Sequence, residues 1–150
     1  MITASAEFAH PAATVFAAVA RIEEHPSWQR GIESIRVLSG DGASVGSRFA
    51  VRVVESGIEL DLEGEVVESM TPELVRHVLE NSDATLDVTV RVTPLASERC
   101  RLDYSAAIKV HSFALKMLRG MIESKLAEKA EADLGALARH LSTAQGADGR

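Results

Sequence analysis

Cysteine occurs once, at Cys100, so no internal disulfide can form, and that usage fits a reducing compartment. No apolar run is long enough to span a bilayer, and no basic region followed by an apolar stretch opens the chain as a secretory leader would. The cytoplasm is therefore the expected location. Positive charge is short as well. Sixteen Lys and Arg against 22 Asp and Glu leave a net charge of −6, which speaks against nucleic acid or an anionic membrane as the main partner but not against an uncharged ligand. The motifs of hydrolytic, zinc and phosphate chemistry are missing: there is no G-x-S-x-G, H-E-x-x-H, paired Cys motif or glycine-rich phosphate loop. None of His10, His25, His77, His111 and His140 stands at ligand spacing with another, so neither a metal nor another cofactor is expected.

What is present reads as one domain. At 150 residues, 46% hydrophobic and 25% charged, the chain is long enough to bury a core and ordinary in composition. Residues 111–142 carry no Pro, and Ser112 is positioned to cap their start, which predicts one long helix. Ala114, Met117, Leu118, Met121 and Ile122 form a broad apolar face in its first half. Leu118, Ile122, Leu126, Ala130 and Leu134 then recur every four residues, so the stripe turns by ~40° per step. Either the helix wraps a twisted sheet as plain core, or its Met-rich first half borders a cavity of adaptable shape. The segment 143–150 is small and polar and is expected to be a disordered tail, leaving a domain at 1–142.

Ahead of the helix the chain reads as strands. Ile2, Ala4, Ala6 and Phe8 alternate with polar residues, giving a half-buried strand. His10-Pro11 opens a short helix with Val15, Val19 and Ile22 on its buried side, and residues 23–31, with Pro26 and Trp28, read as a loop or short second helix. After a strand at 32–38, turns centred on Ser56-Gly57 and Ser82-Asp83 pair 47–55 with 58–68 and 73–81 with 84–93. The first turn sets Phe49 opposite Gly64; the second sets His77 opposite Val88. Turns near Met70–Pro72 and 94–98 would then set His77 opposite Gly64 and Tyr104 opposite Val88. The result is an antiparallel meander with one apolar face for the helix to cover and one charged face. The row Glu59, Asp61, Glu63, Glu65, beside Arg48 and Arg52, reads as solvated surface rather than a metal or acid–base site.

Phe8, Pro11, Val15, Phe16 and Val19, the run His25-Pro26-Ser27-Trp28, residues 31–38, Gly46, residues 101–104, and Leu134 with Leu137 together resemble the START-like, or helix-grip, superfamily. More narrowly, they resemble its bacterial polyketide cyclase/dehydrase and lipid-transport group. The resemblance runs to about Ser142. It implies an α+β fold in which a curved seven-stranded antiparallel sheet, with a short helical insert after its first strand, wraps a long C-terminal helix. It also implies a deep cavity between sheet and helix for apolar or amphipathic small molecules.

The inner face carries few polar groups: Glu55, His77, Cys100 and Tyr104. In the inferred row Phe49–Gly64–His77–Val88–Tyr104, His77 and Tyr104 stand two strand spacings apart, ~9.5 Å, suited to bridging a ligand. Gly64 would leave open volume between Phe49 and His77. The expected ligand contacts are Trp28, Phe49, Leu62, Gly64, His77, Val88, Tyr104, Leu115, Leu118 and Ile122, with no catalytic residue assigned. Each has a plainer reading: His77 as a buried neutral imidazole, Tyr104 as a core aromatic, Trp28 as a cap on the core and Cys100 as an inert thiol. Three functions follow. The first is a carrier or binding domain for a lipid, quinone or polyketide-like molecule. The second is a cyclase or dehydratase using His77 as general acid/base and Tyr104 to hold a developing enolate. The third is an interaction protein acting on a larger complex. The sequence neither requires nor excludes a homodimer.

Overall fold

The computed structural model describes residues 1–55 and 58–148, with the side chains at 55, 58 and 144–148 left aside. In chain order its elements are β1 (Ile2–Phe8), α1 (Ala12–Ala20), a 3₁₀ turn (Ile22–Ser27), β2 (Ile32–Ser39), β3 (Arg48–Glu55), β4 (Ile58–Met70), β5 (Leu74–Glu80), β6 (Ala84–Ala96), β7 (Arg99–Val110), α2 (Phe113–Lys116) and α3 (Arg119–Asp148). The seven strands form one antiparallel sheet in the order β1-β7-β6-β5-β4-β3-β2. Consecutive strands from β2 to β7 are neighbours, as a meander requires, and β1 closes against β7. The Ser56-Gly57 turn lies outside the described residues.

Alternation explains the two faces. Inward lie Phe49 and Val51, Val75 and His77, Val88, Val90 and Val92, and Cys100, Leu102 and Ala106, all buried. Outward, Arg48 pairs with Glu63 and Glu65, and Arg52 with Glu33, Glu59 and Asp61. That carboxylate row is an exposed surface lattice of ion pairs, still net negative with two arginines among five carboxylates. Exposed pairs of this kind each contribute only ~0.2–1 kcal/mol.

Helices cover only part of the inner face. Pro11 opens α1, its carbonyl accepting from the N–H groups of Thr14 and Val15, and α1 presses Val15, Phe16 and Val19 onto β6 and β7. The second half of α3 lies over β1 and β7, burying Ala130, Leu134, Leu137 and Leu141.

The long helix is not one continuous rod from His111. Ser112 caps it as expected, its Oγ accepting from the N–H of Leu115, but α2 stops at Lys116 and α3 restarts at Arg119. Between them Leu118 donates to the carbonyl of Leu115, a tighter i→i−3 bond. This first stretch is exposed rather than packed: Phe113 79%, Met117 74%, Met121 50% and Leu118 45%. At the far end α3 continues past Ser142 to Asp148, with no Pro in the stretch to stop it. Residues 149–150 lie outside the described residues.

Candidate functional site

The registers decide which inner side chains meet. Phe49 opposite Gly64, and His77 opposite Val88, stand as the sequence implies. The other two hairpins differ. β4 and β5 run on to Met70 and Leu74, with a bulge between Val66 and Glu68, so His77 faces Val66 and Gly64 faces Leu79. β6 and β7 run on to Ala96 and Arg99, so Tyr104 faces Val90 and Val88 faces Ala106. Both shifts are by two residues, which preserves the inner face but moves the partners along the strand. The row holding His77 is Val66–His77–Val88–Ala106–Ile2, and Tyr104 belongs to the next, with Val90, Val75 and Ala4. His77 and Tyr104 therefore do not share a row.

Gly64 does not leave open space. A Cβ there would collide with the ring of Phe49, which lies across the glycine and is fully buried. Phe49 in turn meets His77 edge-on at 5.8 Å between ring centroids. His77 stands 6.4 Å from His25, and His25 stands 4.9 Å from Trp28. The 3₁₀ turn thus brings His25 onto the sheet's His77, and Trp28, just after the turn, onto His25.

Within this chain of rings the hydrogen bonding is uneven. His25 Nε2 lies 2.7 Å from the Val19 carbonyl, which only accepts, so that nitrogen carries the hydrogen; Nδ1 meets the Gln29 amide at 3.0 Å. By contrast, Trp28 Nε1 and His77 Nε2 are buried without a partner among the described residues. Burial, reinforced by His25 nearby, pushes the His77 pKa down to about 4, and burial also lowers that of His25. Both rings are neutral at pH 7.

The helix supplies a second polar group. Asp133 is buried on the face of α3 that carries Ala130, Leu134 and Leu137, accepting from the Arg30 backbone N–H at 3.2 Å and from Lys129 one turn earlier. Burial, with the negative charge of Asp133 added, raises the Tyr104 phenol to about 12. The Cys100 thiol is also pushed up by burial, away from reactive thiolate.

His25, Lys129 and Asp133 were not singled out from the sequence as site residues. Asp133 had a signal: an acid at a core position of an otherwise apolar helical stripe. Of the expected contacts, Trp28, Phe49 and His77 belong to the ring cluster, with Gly64 beneath Phe49 and Val88 beside His77. Tyr104 lies within the electrostatic reach of Asp133. Leu62 is half-buried opposite Val51, Leu115 and Ile122 are half-buried on the helix, and Leu118 is exposed.

Beyond Phe49 the inner face opens. Val53, Leu62, Leu79, Leu86 and Ile108 are only half-buried, and Leu60 is exposed, because α3 makes its sheet contacts with β1 and β7 rather than with β3, β4 and β5. Two surface hollows, of ≈ 250 and ≈ 770 Å³, are lined mostly by charged and hydroxyl-bearing side chains of the outer face. No helix among the described residues is long and apolar enough to cross a membrane.

A curved antiparallel sheet gripping a long C-terminal helix, with a helical insert after the first strand, defines a START-like domain of the helix-grip class. The chain belongs to the polyketide cyclase/dehydrase and lipid transport family, whose model matches residues 8–134. A comparison with curated proteins finds no match. Among solved structures, the Zhui aromatase/cyclase from Streptomyces sp. R1128 superposes with TM-score 0.80 at 15% identity, covering 94% of this chain and 92% of that one. A START superfamily protein from Mycobacterium smegmatis gives 0.72 at 18% identity, covering 95% and 97%. Norcoclaurine synthase from Thalictrum flavum gives 0.71 at 18%, covering 96% and 94%. At these identities the likeness is one of fold.

Proposed function

We propose that this domain binds or carries a hydrophobic small molecule between the inner face of the sheet and the first half of the long helix. The observation that carries the reading is the uncovered apolar surface at Val53, Leu60, Leu62, Leu79, Leu86 and Ile108, together with the exposed Met117, Leu118 and Met121 at the start of the long helix. Apolar surface left out of the core at an inward-facing position is what a ligand covers on binding, at roughly 25 cal/mol per Å². The buried rings of His77 and Trp28 lie behind it with unused hydrogen-bonding capacity.

Two of the similar folds are enzymes by name, but His77 and Tyr104 support binding over proton transfer. A histidine shifted to about 4 is a weak base, and a phenol shifted to about 12 is a weak acid. General acid–base groups work best with pKa values near the operating pH. In their neutral forms the two side chains orient a ligand by hydrogen bonding.

Native mass spectrometry of freshly purified protein, followed by solvent extraction, tests the reading. An apolar molecule released at near-stoichiometric yield is expected. Protein that carries nothing and leaves an environment-sensitive hydrophobic dye unaltered would overturn it.

A further inference from the structure

Two interior polar atoms, Trp28 Nε1 and His77 Nε2, are buried and unpaired among the described residues, and their rings flank His25 at 4.9 and 6.4 Å. Resting on the reading above, we infer that the buried end of the ligand carries uncharged oxygen acceptors, of the ketone, quinone or ester kind, for the indole N–H and the His77 imidazole.

The donor set restricts the chemistry. An indole nitrogen donates and cannot accept. His77 Nε2 has no partner among the described residues, so the neutral ring can carry its hydrogen there. His25, between them, is already committed to Val19 and Gln29. A hydrocarbon entering here would leave both polar atoms unpaired, and buried groups without partners are costly. A carboxylate would meet the buried Asp133, whose charge already bears on both His25 and Tyr104. Lys129, the ammonium that bears on His25, is paired with Asp133. Neutral acceptors satisfy the donors without adding charge.

Three probes of similar shape separate the cases: 2-acetylnaphthalene, 2-isopropylnaphthalene and 2-naphthoate, each titrated calorimetrically into the whole chain. The ketone should bind about tenfold tighter than the hydrocarbon, and the carboxylate weakest of the three. The chain has one tryptophan, so a single indole N–H resonance reports on the contact. It should move downfield with the ketone and stay in place with the hydrocarbon. In Trp28→Phe, and separately in His77→Phe, the ketone's advantage should shrink while hydrocarbon affinity holds; either variant alone carries the test if the other fails to fold. Equal affinities for ketone and hydrocarbon with an unmoved resonance would mean that trapped water already serves these atoms, and the inference falls while apolar binding stands. Preference for the carboxylate also overturns the inference alone. Binding of none of the three overturns the binding reading itself.

Discussion

The ring of Phe49 lies across the backbone of Gly64, its cross-strand partner, in the space where any side chain at 64 would stand. The glycine makes room for the aromatic ring, and the ring shields a strand position that offers no side chain of its own. Phe49 then reaches His77 edge-on, so the pair supports the floor of the candidate site.

Gly64→Ala should therefore destabilise the fold by overpacking, at ~1–3 kcal/mol, with no space for the new methyl. Phe49→Ala should cost ~3–5 kcal/mol as a large-to-small change in a fully buried site. Phe49→Ala with Gly64→Ala together should cost less than the sum of the two, because the new methyl enters volume that the ring has vacated. Urea denaturation of the four proteins checks the cycle, and strict additivity would contradict the contact.

Leu137→Ala should cost ~2–5 kcal/mol, as should Leu134→Ala, since both are buried under the second half of α3. Leu118→Ala, at a site 45% exposed, should change stability by ~0.5 kcal/mol or less in ligand-free protein. Equal losses along the helix would show its first half packed down in solution.

How much of this was legible in the sequence depends on the range of the interaction. The faces follow from alternation along single strands, and the hairpins β3–β4 and β5–β6 fall in the inferred register. The other two hairpins missed by two residues, because the strands run further into their turns and local bulges absorb the difference. An even slip leaves an alternating pattern unchanged, so hydrophobic periodicity could not detect it. Residue type at Gly64 suggested space, whereas occupancy depended on where a ring from the neighbouring strand lay down. His25 and Asp133 come from remote segments, and no spacing rule links a 3₁₀ turn to a helix a hundred residues later.

Stability should fall as pH drops below neutrality. The unfolded chain protonates His77 near 6.5, while the folded ring, surrounded by His25 from the 3₁₀ turn and Phe49 from β3, resists protonation until about 4. His25, which faces Lys129 and Asp133 from α3, shifts in the same direction. The His77 contribution is full above pH ~6.5 and is lost towards pH 4, amounting to about 3 kcal/mol. His77→Gln should flatten the stability–pH curve between 6.5 and 4.5 relative to wild type; identical slopes would show that His77 ionises freely in the fold.

Asp133→Ala should cost ~3–5 kcal/mol, leaving a largely buried Lys129 unmatched and the Arg30 N–H without its acceptor. Asp133→Asn retains an acceptor and should cost less. In that variant the midpoint of Tyr104 should drop below 12 but stay above 10, since burial is the larger cause and the Asp133 charge the smaller. With one tyrosine in the chain, ultraviolet titration of the phenolate reads this directly, and an unmoved midpoint would separate the two groups.

The closure of β1 on β7 also orders the folding of the chain. The hairpins from β2 to β7 join residues near in sequence, whereas Ile2 must find Ala106 and Phe8 must find Cys100. Such distant contacts are repaid only after a long loop has been closed, so the first strand docks late. It is also the strand on which the second half of α3 rests, and so the last helix waits on the first seven-residue strand. Removing that strand would release α3 as well, and with it the Asp133 that meets the Arg30 backbone across the interior.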